Sequence, residues 1–421
     1  MENMFAGVTS FNQPLNSWDV SQVINMLQMF AVAIKFNQPL DNWDVSNVTD
    51  MRRMFQNTSS FNQSLDSWDV SQVTDMEAMF YQATSFNKPL DNWNVSNVNN
   101  MRNMFYETTS FNQPLGSWDV SNVNSMENMF QGAESFNQPL DNWEVSQVIV
   151  MKGMFFSATS FNQPLNNWEV NEVFRMNFMF HGATSFNQPL DNWDVSNVTD
   201  MGYMFYETTS FNQPLDNWNV SNVTTMRAMF NSASSFNQPL NSWDVSNVTN
   251  MGSMFNGSTS FNQPLNNWNV SNVTDMGRIF NGSTSFNQSL NNWEVSNVTN
   301  MGSMFNGSIS FDRDLSDWSF NQAVSLGRFL SDSGMSSDNY DTLLQSFDNQ
   351  NLVGLYLSAV NIAYCDEQTR SNLIDNKGWT IIGDILGQCG DVFNPSTTPF
   401  VTTWTVQDDL SVAIYTFNAF N

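Results

Sequence analysis

The sequence predicts an α/β solenoid, a stack of 13 strand–helix repeats of 25 residues followed by a small α+β cap. Three observations predict it. The same pattern returns every 25 residues from Met1 to Ser325 without an insertion or a deletion. Thirteen of the 15 Trp lie in one register, and 25 of the 26 Met lie at repeat positions 1 and 4. Of the 36 Phe, 26 lie at positions 5 and 11, so these rows are predicted to form the core.

Repeat 9, residues 201–225, shows how each repeat is interpreted. The i, i+3, i+4 spacing of Met201, Met204 and Phe205 predicts a helix of about two turns. The run Leu215–Val220 alternates apolar and polar residues, which predicts a short strand. One such unit cannot bury its own apolar side chains, whereas stacked copies can, with their strands paired in parallel.

The repeat decays after Phe311, which is typical of the end of an array and predicts a cap over residues 326–390. Within the cap we expect a helix at Asp338–Phe347 capped by Ser337, a helix from Asp366 to about Lys377, and a strand at Trp379–Ile382. Residues 391–399 are predicted to form a linker, and residues 400–421 the truncated start of a further β-domain. Met1 is already in repeat phase, so we expect the sequence to be a fragment of a longer protein.

The charge of the chain restricts its partners. Lys and Arg total 13 and Asp and Glu total 40, a net charge of −27. Because nucleic acids and anionic membranes need Lys or Arg to neutralise phosphate, neither is an expected partner. No apolar run reaches the roughly 18 residues that a membrane span requires.

Catalytic motifs are absent from the sequence. The chain has one His, His181, and no Gly-rich phosphate loop, His/Cys metal cluster or nucleophile elbow. Its acids recur in rows instead of forming one distinct pair. We therefore predict that the protein is not an enzyme and has no catalytic residues.

The acids form a row at position 19, beside the Trp. Stacked copies would place these like charges about 4.8 Å apart, which is unfavourable unless they are screened or bound. One interpretation is a solvated acidic face and no cofactor; the other is a calcium ladder, since calcium prefers oxygen ligands. The ladder would use Asp19, Asp44, Asp69, Asp119 and Asp194, with Glu144, Glu169, Asp244 and Glu294 in the same row.

Additional aromatic residues occur in the middle repeats at positions that are otherwise variable. Exposed aromatic residues in one zone indicate a contact patch for a protein or a glycan. The alternative is that they only shield neighbouring helices. The candidate binding residues are Tyr81, Tyr106, Phe156, Phe178, Tyr203 and Tyr206.

The recurring string FNQPLxxWDVSNVTxMxxMF resembles the repeat of BspA-like leucine-rich-repeat surface proteins over residues 1–325. This resemblance implies a leucine-rich-repeat-like fold, an extracellular or cell-surface location, and an adhesive or protein-binding function. Met, Trp and Phe replace Leu at most core positions here, so an ordinary horseshoe curvature does not follow. In that extracellular setting we expect Cys365 and Cys389 to form a disulfide, with two buried thiols as the alternative.

Three functional hypotheses follow. The first is a surface protein that mediates adhesion by binding a protein or glycan on another cell or in the matrix. The second is a structural spacer within a larger secreted protein. The third is a calcium-stiffened adhesin.

Overall fold

Successive 25-residue repeats stack on one another in constant register. The backbone of position 25 in each repeat forms a parallel bridge with position 25 of the next, from Asn25↔Asp50 to Asn300↔Ser325. The computed structural model describes residues 1–389. The linker predicted at 391–399 and the β-domain predicted at 400–421 lie outside the described residues.

The repeats contain neither the helix nor the strand that the sequence predicts. Every α-helix and every strand of the described chain lies between Ser337 and Leu386. The predicted helix is instead a run of turns, in which the amide of Met204 donates to the carbonyl of Met201 at 3.2 Å. Other amides of this run donate to the next repeat; the amide of Phe205, for example, donates to the carbonyl of Met229 at 2.9 Å. A two-turn helix is too short to nucleate by itself, and these inter-repeat hydrogen bonds replace it.

The predicted strand at Leu215–Val220 is also replaced by turns. The amide of Trp218 donates to the carbonyl of Leu215 at 3.1 Å, and that of Val223 donates to Val220 at 2.9 Å. The hydrogen bond to the preceding repeat comes from a side chain here: the indole nitrogen of Trp218 donates to the carbonyl of Leu190 at 2.9 Å. The Trp218 amide and the Leu190 carbonyl are therefore satisfied without strand pairing.

The core consists of the rows that the period predicts. The side chains of Met, Phe, Leu, Trp and Val at these positions are almost wholly buried from repeat 2 onward. Trp rings of successive repeats stack in parallel, as Trp193 and Trp218 do at 6.4 Å with an interplanar angle of 1°. We call this column of residues, Trp18 to Trp318, the Trp row.

Position 8 also belongs to the core, although its polar members obscured it in the sequence. Thr208 is fully buried, and its hydroxyl donates to the carbonyl of Phe180 at 2.7 Å. Other repeats have Ala or Ser at this position, for example Ala183 and Ser258. A small residue is required because two Phe rows pack beside it.

The cap continues the stack with true secondary structure. Helix α1 spans Ser337–Asn349 and is capped by Ser336, one residue before the predicted cap. Helix α2 spans Glu367–Asp375 and is capped by Asp366. The strands are β1 (Tyr356–Ser358), β2 (Ala363–Tyr364), β3 (Thr380–Ile382) and β4 (Ile385–Leu386).

Strands β1 and β3 pair in parallel, as do β2 and β4, and a parallel bridge joins Leu326 to Leu357. The strand–helix alternation predicted for every repeat is thus present only in the cap. Both cysteines are disulfide-bonded. Neither helix of residues 1–389 has the length and apolar character that crossing a membrane requires.

Candidate functional site

Five rings from repeats 7, 8 and 9 come together on the surface formed by the run of turns. Phe178 stacks on Tyr203 at 4.7 Å, with the ring planes 6° apart. His181 contacts Phe156 at 4.1 Å and Tyr206 at 4.4 Å. The rings of Tyr203 and Tyr206 lie 5.9 Å apart. We call these five residues the aromatic cluster; all of them are half-buried, so part of each ring faces solvent.

Tyr81 and Tyr106 form a separate stacked pair at 4.4 Å in repeats 4 and 5. Gln131 follows in the same column, and its amide donates to the Tyr106 hydroxyl at 3.1 Å. Burial raises the pKa of Tyr106 to about 12, and the neighbouring Glu107 contributes, so the phenol keeps its proton. The six predicted aromatic residues therefore occupy two places, four in the cluster and two in this pair.

The backbone at position 3 makes the aromatic residues of the cluster costly. Phe178 and Tyr203 have φ of 61° and 60°, in the left-handed region that bulky residues rarely adopt. The geometry of the repeat imposes this conformation, because Ser253 and Ser303 share it at φ of 60° and 56°. Gln28, Arg53 and Arg278 adopt it as well, so the conformation belongs to the repeat and not to the aromatic cluster alone.

His181 was not among the residues predicted for the patch. Its Nδ1 atom is buried without a hydrogen-bond partner, and burial lowers its pKa to about 4. The imidazole is therefore neutral at physiological pH and behaves as a fifth aromatic ring. The signal that identifies it is its column, since Phe156 and Tyr206 occupy the same repeat position.

We expect His181→Phe to stabilise the protein more at pH 5 than at pH 7.5. The folded-state pKa lies below the unfolded value of about 6.5, so the wild type loses stability as pH falls from that value through the folded pKa. The variant has no such loss. The measurement is the thermal midpoint of both proteins across this range; a difference that does not change with pH would contradict the prediction. Both proteins have the same carboxylates, so the titration of these groups cancels in the difference between the two midpoints.

Two exposed apolar residues in repeats 6 and 7 were also missed. Ile149 and Phe174 are 43% and 37% exposed, at a position where most later repeats have Thr. The guanidinium of Arg175 lies 5.4 Å from the centre of the Phe174 ring. Comparing the repeats at this position would have found them, together with Ile24 of repeat 1, which is 63% exposed.

The acidic row at position 19 has a structural use in the repeat. Asp44 accepts hydrogen bonds from the amide and hydroxyl of Ser46, at 3.1 Å and 2.6 Å. These bonds hold its pKa below the usual value. The amide of Ser71 donates to Asp69 at 3.0 Å. Serine hydroxyl and amide donors likewise lower the pKa of Asp19, Asp119, Asp194 and Asp244.

Amide side chains donate hydrogen bonds to some of the acids at position 16. Asn16 donates to Asp41 at 2.9 Å, and Asn166 donates to Asp191 at 3.0 Å. In the part of the chain that the structure describes, no group of three or more acidic, His or Cys side chains is arranged to hold a metal ion. Calcium binding by Asp19, Asp44, Asp69, Asp119 and Asp194 stays a prediction.

The repeats define the family of the chain. Four overlapping segments match a family described as "Mycoplasma protein of unknown function, DUF285", namely residues 1–91, 79–191, 151–256 and 236–343. The chain belongs to this family. The DUF285 matches extend through the array of repeats and end within α1 of the cap. No curated protein matches the chain.

Proposed function

We propose that this DUF285 protein is a non-enzymatic, surface-exposed repeat protein that mediates adhesion by binding an extracellular macromolecule. The observation that carries the proposal is the aromatic cluster. Large, partly exposed rings at the centre of a contact surface supply most of the binding energy in protein recognition. Here they occupy positions where the flanking repeats have small or polar residues, such as Ser253 and Asn256.

Two further points support this proposal. The resemblance to BspA-like leucine-rich-repeat surface proteins implies an extracellular, adhesive role. Phe178 and Tyr203 also place aromatic rings at position 3, where every other repeat has Ala, Gly or a polar residue. Catalysis has no support, since the single His is half-buried among other rings and has a pKa of about 4.

Replacing Tyr203 and Tyr206 by Ser in the full chain is expected to weaken binding about a hundredfold, as the loss of two aromatic anchors does. The assay is binding to an array of immobilised matrix glycoproteins and glycans. The matched control is Tyr81→Ser with Tyr106→Ser, which makes the same two substitutions outside the cluster. We expect that control to stay within about threefold of wild type.

Two results would contradict this proposal. Equal binding of the wild type and the Tyr203→Ser, Tyr206→Ser protein would show that the cluster is not the contact surface. Failure of the wild type to bind any member of the array would favour the structural spacer. Circular dichroism on each variant shows whether the fold is retained.

A further inference from the structure

The arginines of the second half of the array differ from those of the first half. In the first half the arginines are paired: Arg53 contacts Glu77 at 3.0 Å, and Arg102 contacts Glu127 at 3.3 Å. Within residues 1–389, Arg227, Arg278 and Arg328 form no ion pair with a carboxylate. All three are exposed. Unpaired guanidinium groups are unexpected on a chain of net charge −27.

These three residues, which we call the arginine strip, follow the aromatic cluster along the stack. Arg278 and Arg328 lie in the same column as Phe178 and Tyr203, at position 3 of the repeat. Arg227 lies at position 2 of its repeat, and its guanidinium is 5.8 Å from the centre of the Tyr203 ring. The aromatic cluster and the arginine strip are therefore one continuous surface.

A groove of about 280 Å³ lies between the first two members of the strip. Its walls include Arg227, Arg278, Asn300 and the hydroxyl-bearing Ser253 and Ser303. The lining residues are Arg, Ser, Asn, Asp and Gly only, so no apolar side chain faces the groove. A ligand in this groove meets hydroxyl, amide and guanidinium groups, which suits a polar and anionic molecule.

The floor of the groove is kept open by glycine. A side chain at Gly277 would place its Cβ atom close to the amide nitrogen of Asn300, at 2.5 Å. Asp275 lies in the groove as well, but one of its oxygens already accepts from the Gly277 amide at 3.0 Å and from Asn300 at 2.7 Å. The groove therefore carries two guanidinium groups and one carboxylate, a net charge of +1, and both guanidinium groups are available to an anionic ligand.

The spacing of the strip indicates the kind of ligand. Its members lie about two repeats apart, which corresponds to about 10 Å if each repeat rises by a strand spacing of about 4.8 Å. A nucleic acid strand carries a phosphate every 3.4 Å or so, and would meet too few cations here. A linear polysaccharide with an acidic group on alternate sugars carries sparse, regular charge. Its hydroxyl groups match the polar groove, and its apolar ring faces match the aromatic cluster.

We propose that the arginine strip binds a linear acidic glycan whose sugars extend onto the aromatic cluster. This inference rests on the adhesive function proposed above and specifies its ligand class. The carboxylate or sulfate groups of the glycan contact Arg227, Arg278 and Arg328, and the groove between the first two holds the intervening sugar.

The test is binding of the full chain to hyaluronan, which carries only carboxylates, to heparin, which also carries sulfates, and to neutral dextran. We expect binding to hyaluronan or heparin but not to dextran, and the stronger of the two identifies the anion. Arg227→Ser with Arg278→Ser should reduce the affinity at least tenfold, because charge-assisted hydrogen bonds are lost. Raised salt should also weaken binding.

Arg53→Ser is the matched control, since it removes the same charge from the same repeat position outside the strip. The single variant Arg278→Ser should weaken binding without altering the contact between Arg227 and Tyr203. Absence of binding to both acidic glycans, or unchanged binding in the double variant, would overturn the proposal. If the Tyr203→Ser, Tyr206→Ser protein still loses binding to the matrix array in that case, the adhesive function stands and only the acidic-glycan ligand is rejected.

Discussion

Trp218→Ala is expected to lower the free energy of unfolding by about 4 kcal/mol, the usual cost of truncating a buried Trp. The side chain is 3% exposed and stacks between Trp193 and Trp243 at 6.4 and 6.5 Å. Its indole nitrogen is also the donor to the carbonyl of Leu190. The variant therefore leaves a cavity, two uncovered ring faces and a buried carbonyl that has lost its indole donor. Urea unfolding of the wild type and the variant measures the loss.

Trp18→Ala is the control for this prediction. Trp18 belongs to the same Trp row but is only half-buried, and its ring contacts Phe5 at 5.9 Å. We expect this substitution to cost less than half as much, because less apolar surface is removed from the core. Equal losses for Trp18→Ala and Trp218→Ala would show that stacking within the row does not stabilise the array. A loss below about 1 kcal/mol at Trp218 would contradict its burial.

Arg370→Met is expected to destabilise the cap by about 3–5 kcal/mol, the usual cost of leaving a buried charge without its partner. Asp384 has a fully buried side chain, and Arg370 binds both of its oxygens, at 2.7 and 2.8 Å. This carboxylate raises the pKa of Arg370. The hydroxyl of Tyr340, in α1, is a further partner of Asp384 at 3.3 Å. Losing the guanidinium would therefore weaken the contact between α2 and the segment that follows β3.

The double variant Arg370→Met, Asp384→Leu tests the cause of this loss. Removing both charges leaves no unpaired carboxylate, so we expect at least half of the lost stability to return. If the double variant is less stable than Arg370→Met, packing of the arginine side chain, and not charge pairing, stabilises the cap. Urea unfolding of the wild type, the single variants and the double variant completes the cycle.

The sequence period alone predicted the core rows and the register of stacking. Met201, Met204, Phe205 and Trp218 are all buried, as their confinement to fixed positions required. The secondary structure of the repeat was predicted wrongly, because the i, i+3, i+4 spacing of Met201, Met204 and Phe205 also fits a run of turns. Local periodicity does not show whether an amide bonds within its own repeat or to the next one.

The candidate site was predicted in part. The unusual aromatic residues could be found by comparing repeats, and four of the six come together. His181 was not recognised as one of them, because a lone His suggests a titrating group. Only its surroundings show that burial keeps it neutral. The pairing of Arg53 and the lack of an ion pair at Arg278 also depend on which side chains of adjacent repeats reach each other.

The sequence by itself determined the length of the repeat, its buried rows and its excess of acid, because each repeat must present the same residues to its neighbours. It also placed the two helices after the array within one or two residues, because their capping residues and breakers act locally. The tertiary structure decided which groups satisfy the backbone, since these bonds run between residues about 25 positions apart. It also decided that the aromatic cluster and the arginine strip form one surface, since that depends on how the columns of stacked repeats lie side by side.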